Sequence, residues 1–414
     1  MAAAFVAPAP AEDLTVDFYQ KRYALEDGDI AGRMSLAGWC ERNGLPWRAA
    51  ELYHEVLALD RDHNVAYDRL VRLADTRRLP EQPERQAELL EHFGDEFALH
   101  VAPHFLVVYN TDKAWAINRA VLLERTHDLF VQAFRRGDFR VVPLRERLVC
   151  LLLADHEQFT DYAREADGVD VGWSAGYYSS KTNRTAFFDE TTSPNFRKVT
   201  DHVSRLEKAE AELRAKLRAA RKARSRAHEA HYRKQLDAVR KELTWYRNRH
   251  SAVADMGNAA KTTHEASHQF AFNMGLQVRG HMYPFWLSEG IATNFETVDP
   301  AAPFGPHHDN LGRRRLLTEA WRAEALLPID EFITMVRPPV EDEQRLAVAY
   351  SQAWGLFRFL LKYRRAELQD YLDAIAGGPP GERSPEQLRE AFDDAFGDLG
   401  RIEREFELYV KRLR

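Results

Sequence analysis

His264-Glu265-Ala266-Ser267-His268 is the stretch whose residue types and spacing could do chemistry. On a helix, residues i and i+4 stand one above the other, so two imidazoles four apart can converge on one metal ion. Neutral imidazole nitrogens suit zinc, and a catalytic zinc site takes three protein ligands while keeping a fourth position for water. Zinc lowers the pKa of that water from about 16 to roughly 7, which makes hydroxide available near neutrality. Glu265, between the two histidines, would reach the water as a general base. A third ligand should come from further along, on a second helix. Trp286-Leu287-Ser288-Glu289-Gly290-Ile291-Ala292 offers Glu289, and the expected cofactor is one Zn2+.

A helix bearing H-E-x-x-H followed by W-L-x-E-G-x-A resembles the gluzincin metallopeptidases of the thermolysin and aminopeptidase N type. It is more similar still to bacterial "peptidase MA-like" domains. The strong match covers about 35 residues, with weaker likeness over 100–200 and 300–365. The resemblance implies that His264, His268 and Glu289 are ligands, that Glu265 is the base, and that a tyrosine on a later helix stabilises the oxyanion. Tyr350, in Ala349-Tyr350-Ser351-Gln352-Ala353-Trp354, stands where such domains often carry it. No G-A-M-E-N-like segment precedes the zinc helix and no N-E-x-x-S-D surrounds the third ligand, so the likeness does not extend to aminopeptidase specificity.

Each of these residues also has a plainer reading. Glu289 alone could be a carboxylate facing a helix N-terminus. Tyr350 could be a core aromatic paired with Trp354 at i+4. Glu296, seven positions after Glu289 and so on the same helix face, is the candidate partner for the second nitrogen of a ligating imidazole, or else an exposed helix acid. His281, His307 and His308 are isolated or in loops and are left out of the site.

The elements that must position these groups are mostly helical. A zinc helix is predicted from about 252 to 274, with Gly275 at its C-cap. An irregular link over 276–285 follows, and Pro284 precedes the second ligand helix. Further helices are predicted at about 311–325, 330–336, 344–376, 385–396 and 401–413. Ser384, Pro385 and Gln387 form an N-cap, N1 proline and capping box.

Upstream, His104–Tyr109 and Arg147–Leu153 read as strands, each followed by a helix, at about 113–136 and 155–166. The segments 174–180 and 184–189 read as a β-hairpin. Together these suggest a small mixed sheet. The family likeness places an edge strand beside the zinc cleft, where an extended peptide would add by backbone pairing; residues 184–189 are taken for that edge.

Residues 201–250 contain no Gly or Pro and hold 15 Lys and Arg against 7 Asp and Glu. Apolar stripes at Leu206, Leu213, Leu217, Ala220 and at Leu236, Val239, Leu243, Tyr246 indicate a basic helical hairpin or one long coiled-coil-like helix. It is read as a structural projection, or a lid or partner arm; aromatic residues are sparse, so nucleic acid is not expected as a partner. Residues 12–95 read as helical, with one tetratricopeptide-type helix pair turning at Asp60–Asn64. Such repeats need about three copies to stand alone, so this segment should dock on the rest of the chain or on a protein partner.

With 414 residues, two or three domains are expected. The divisions are 12–97 (tetratricopeptide-like), 98–200 (α/β lobe), 201–250 (basic insertion) and 251–414 (zinc-binding helical lobe). The expected fold class is α+β, mainly α, with zinc between a small mixed-sheet lobe and a helical lobe. A net charge of −6 gives no whole-chain signal for nucleic acid or membrane. No run of 18 apolar residues predicts a membrane span. Cys40 and Cys150 read as buried small hydrophobes rather than a disulfide. The apolar start, Met1 to Ala11, ends in small residues but lacks basic residues and a full hydrophobic region, so the compartment stays open between cytoplasm and export.

The leading expectation is a zinc-dependent hydrolase cleaving a peptide or protein substrate. The alternatives are a catalytically inactive scaffold that binds partners through its helical segment and basic arm, and hydrolysis of a non-peptide amide at the same site.

Overall fold

The structure, a computed structural model, describes residues 11–76, 79–135, 139–172 and 174–413. Residues 1–10 of the apolar start, and residue 136, where one predicted helix was to end, lie outside them.

Five helices come first: α1 (Ala11–Tyr23), α2 (Ile30–Arg42), α3 (Pro46–Leu59), α4 (Asn64–Thr76) and α5 (Pro83–Phe93). α2 and α3 pack together across a turn at 43–45, and the turn expected at Asp60–Asn64 joins α3 to α4. Asp29 caps α2 by accepting from Gly32 N, and Pro46 opens α3 where no N–H is needed. Small residues at their contact, Ala37, Cys40, Ala49 and Ala50, are fully buried and let the backbones approach. The pair is docked on the rest of the chain. Arg61 donates to Gly275 O at 2.8 Å and pairs with Asp373 at 3.0 Å, Arg140 donates to Arg61 O at 3.0 Å, and Val142 packs against the bundle's core.

The sheet contains β1 (Ala98–Val101), β2 (Phe105–Tyr109), β3 (Leu148–Leu153), β4 (Gly176–Ser179) and β5 (Arg184–Phe188) in the order β1-β2-β3-β5-β4. β2–β3 and β3–β5 are parallel, joined through α6 (Lys113–Arg135) and α7 (His156–Tyr162); both outer pairs are antiparallel. β2 and β3 are apolar at every position because both faces are covered. Phe105, Val107, Cys150 and Leu152 face the main core, while Leu106, Val108, Leu151 and Phe188 face a second cluster with Leu89 of α5 and Phe159 of α7. β1 has no counterpart in the sequence reading, since its four half-exposed residues show no clean alternation. Cys40 and Cys150 are buried in separate cores and unbonded.

α8 (Pro194–Lys222) and α9 (Arg226–Asn273) form the hairpin, turning at Ala223–Ser225 with Arg224 at φ 50°. Leu206, Leu217 and Ala220 of α8 and Leu236 and Leu243 of α9 are buried along it. The helix that carries His264 and His268 does not begin near 252. α9 runs unbroken for 48 residues, about 72 Å at 1.5 Å per residue, through the expected boundary at 250. Nothing in 226–273 stops a helix, since Gly257 is its one glycine and proline is absent.

The remaining helices are α10 (Phe285–Thr293), α11 (Leu311–Arg322), α12 (Ile329–Thr334), α13 (Glu343–Tyr363), α14 (Arg365–Gly377), α15 (Pro385–Phe396) and α16 (Leu399–Arg412). The single helix expected over 344–376 breaks at Arg364, whose backbone leaves the helical region (φ −138°, ψ 44°). Its guanidinium is held by Glu405 of α16 at 2.8 Å and by Glu367. The fold is α+β and mainly helical, with one small mixed sheet. Among the described residues no helix is long and apolar enough to cross a membrane.

Candidate metal centre

α9 is fixed to the sheet by one face and offers the other to the C-terminal helices. Ala266 and Phe270 enter the main core, Phe270 meeting Phe105 edge-on at 5.7 Å. Gln269 donates to Val149 O and Asn183 O, at 3.1 and 3.0 Å, which pins the helix axially. His264 and His268 then lie on the face toward α10. That helix is pressed onto α13 at Gly290, where a Cβ would come within 2.6 Å of Phe357 Cβ and 2.9 Å of Ala353 O. The glycine after Glu289 is thus a packing requirement, and the close approach sets how far Glu289 stands from α9.

The three candidate ligands converge. His264 Nε2 and His268 Nε2 are 3.2 Å apart, Glu289 Oε2 is 3.1 Å from His264 Nε2, and Glu289 Oε1 is 3.6 Å from His268 Nε2. A tetrahedral ion with bonds of about 2.0–2.1 Å has ligand-to-ligand edges of about 3.3 Å, so these atoms are spaced as such an ion would space them. Buried Glu289 Oε2 has no hydrogen bond despite its proximity to His264, because no donor is aligned on it. Two ring nitrogens and a carboxylate turned toward one point fit a cation there better than they fit one another.

Charge around the centre supports this. Burial alone would lower the His264 pKa, but the nearby carboxylates of Glu289, Glu296 and Glu265 outweigh it and push it up to about 10. Burial would raise Glu289, yet His268 and His264 hold it well below the usual carboxylate range. Glu296 is held down against burial by Arg313 and His264. The site is therefore rich in anionic groups that a cation would neutralise.

Glu296 partners His264, though not by the helical register the sequence suggests. α10 ends at Thr293, where Thr293 Oγ1 donates to Glu289 O and Asn294 Nδ2 donates to Gly290 O. Glu296 comes from the turn beyond, and its Oε1 lies 2.9 Å from His264 Nδ1. It is largely enclosed rather than an exposed acid, its side chain 13 % exposed. Arg313 of α11 clamps it with two hydrogen bonds, Nε to Oε2 at 2.8 Å and Nη2 to Oε1 at 2.7 Å. Sequence reading missed Arg313, which stands in a run of three arginines that looks like a solvated helix face.

A cleft of about 520 Å³ opens over the cluster. Glu265 and Tyr350 both line it. Glu265 Oε2 accepts from Tyr178 N at 3.0 Å, which leaves Oε1 without a hydrogen bond among the described residues. Tyr350 does not sit in the core with Trp354, which is fully buried. Its ring packs on Phe285 at 5.2 Å and faces His264 at 6.2 Å, with the Arg313 guanidinium 5.2 Å above it. Burial, then the charges of Glu289 and Glu265, raise its phenol well above the ordinary value, so it keeps its proton.

The strand at the cleft is not 184–189. β5 is interior, paired on both sides by β3 and β4, and β4 is the edge. The hairpin's first strand, not its second, lies outermost because β5 joins β3 in parallel. His281 is turned away toward Gly378 O, at 2.9 Å.

Residues 258–382 match a family described as a protein of unknown function (DUF1570). The match covers less than a third of the chain and includes all six residues named above as candidates, together with Arg313. No curated protein matches the chain.

Proposed function

We propose that this protein is a zinc-dependent hydrolase of peptide bonds. The observation that carries the reading is the convergence of His264 Nε2, His268 Nε2 and Glu289 at tetrahedral edge lengths, in a cleft that also holds Glu265 and a protonated Tyr350. Zinc held by these three residues would supply Lewis acidity toward a carbonyl oxygen and acidify a water molecule. Glu265, steadied by Tyr178 N–H, takes the proton from the attacking water and passes it to the leaving amine. The Tyr350 hydroxyl donates to the oxygen on which charge develops. Glu296 and Arg313 fix the His264 ring so that Nε2 faces Glu289 and His268, where zinc would be held.

A peptide substrate is supported by β4. Tyr178 N–H points away from β5 into the cleft, and strand alternation turns its C=O the same way. An extended chain lying along that edge would donate to that C=O, the N–H being held by Glu265.

The test is Glu265→Gln. The variant should bind one zinc per chain with unchanged affinity while cleavage of a peptide library falls by several orders of magnitude. Full activity in Glu265→Gln, or a wild-type protein that takes up no zinc, would end the reading.

A further inference from the structure

The cleft walls carry charge and aromatic surface that the reaction itself does not use. Lys261 lies one helical turn before His264 on the face of α9 that carries His264, Glu265 and His268, and it lines the cleft. Among the described residues it forms no ion pair. Glu190 is the carboxylate that senses its charge. That side chain lies against Gly257, one turn further back, where a Cβ would collide with it. The other cation at the cleft, Arg313, is committed to Glu296 through both of its hydrogen bonds. Of the lysine and arginine side chains among the described residues that line the cleft, Lys261 is therefore the one in no ion pair.

The opposite end of the same helix face has another character. Phe272, one turn beyond His268, stacks on Tyr178 with ring centroids 5.6 Å apart and an interplanar angle of 28°. Lys261 and Phe272 are separated by about 16 Å along the helix axis, which an extended peptide spans with about five residues. The candidate ligands lie between them. A peptide crossing the centre thus meets an ammonium on one side of the reacting bond and an aromatic wall on the other.

We infer that Lys261 selects substrates that carry a carboxylate side chain about two residues from the scissile bond, on the side away from the Phe272–Tyr178 stack. This rests on the hydrolase reading and names its substrate class. An ammonium in a partly enclosed cleft can form a charge-assisted hydrogen bond to a carboxylate that it cannot form to an uncharged amide. Because the site is open to solvent on one side, a preference of about tenfold is the appropriate scale.

The test uses two peptide hydroxamates that differ only in bearing Glu or Gln at that position, titrated against zinc-loaded protein by calorimetry. Wild type should bind the Glu probe about tenfold more tightly. Lys261→Met should bind both equally, Lys261→Arg should keep the preference, and Lys261→Glu should reverse it. Thermal melts of each variant check that the fold is intact. Equal binding of the two probes by wild type, or an unchanged ratio in Lys261→Met, overturns the inference while leaving the hydrolase reading in place. Failure of zinc-loaded wild type to bind either hydroxamate overturns both.

Discussion

His264 Nδ1 lies 2.9 Å from Glu296 Oε1, and the same oxygen accepts from Arg313 Nη2 at 2.7 Å, so one candidate ligand is held by a carboxylate that is itself held by a guanidinium. The chain Arg313–Glu296–His264 runs from α11 through a turn to α9. Once the Nε2 proton is lost, it keeps the remaining proton on Nδ1, so that Nε2 carries the free lone pair.

Glu296→Gln should therefore weaken zinc binding by 10- to 100-fold, the range found when such supporting carboxylates are removed. Competition against a fluorescent chelator measures it. An unchanged affinity would mean that α9 packing alone orients His264. Arg313 would be left half-buried opposite an uncharged amide, so a lower thermal midpoint is expected as well.

Zinc uptake should also be coupled to protons. Burial would lower the His264 pKa, but Glu289, Glu296 and Glu265 outweigh it and raise it to about 10 in the metal-free protein. Across the neutral range the ring is protonated, and a cation must displace that proton to reach Nε2. Apparent zinc affinity should rise with pH, by about tenfold per unit for one displaced proton. The metal-free fold has the opposite dependence. A raised folded pKa contributes stability that is fully present below the unfolded value of 6.5 and is lost as pH climbs toward 10. Chelator competition and melts between pH 6 and 9 report the two slopes, and a flat affinity profile would contradict the assignment of His264 as a ligand.

Gly290→Ala is expected to harm both fold and site. The new methyl would meet Phe357 Cβ at 2.6 Å and Ala353 O at 2.9 Å, and a backbone oxygen cannot swing aside. Overpacking of this kind costs about 1–3 kcal/mol. Relief by separation of α10 from α13 would shift Glu289, so zinc affinity should fall together with the melting midpoint. A variant unchanged in both would show that the α10–α13 contact has slack.

What the residues disclosed, and what they hid, follows from range. His264, Glu265 and His268 share one helical turn, and i to i+4 spacing is a local property that needs no tertiary knowledge. Glu289 was legible because it follows Trp286 and Leu287 and precedes a glycine, and that glycine answers to Phe357 and Ala353 across the helix contact. Glu296 was named for the wrong reason. Its periodicity assumed a helix that Thr293 and Asn294 in fact close, and the carboxylate returns to His264 through a turn. Arg313 and the Tyr178 N–H were invisible, one because a run of arginines looks like solvated surface, the other because backbone groups leave no mark in side-chain types. β5 was mistaken for the edge because strand order depends on which partner each strand finds in the fold. The length of α9 was open to reading, since the absence of Pro and the single Gly257 say that nothing interrupts it, but the change from basic to apolar composition near 250 suggested a boundary that the backbone ignores.

Tyr350→Phe separates the oxyanion role from packing. The ring contacts with Phe285 and His264, and the Arg313 guanidinium above the ring, do not need the hydroxyl, so the variant should fold and bind zinc as wild type does. What it lacks is a proton held on oxygen well above the ordinary tyrosine range by burial and by Glu289 and Glu265. That donor would act where charge accumulates in the transition state, and loss of one such donor costs about 100- to 1000-fold in kcat. KM should change little, because a neutral carbonyl in the ground state draws weakly on it. Steady-state kinetics on a cleaved peptide distinguishes the cases. A fall in kcat with constant KM supports transition-state donation. A rise in KM at constant kcat would make Tyr350 a binding residue, and unchanged kinetics would leave the oxyanion to the metal and to donors other than this hydroxyl.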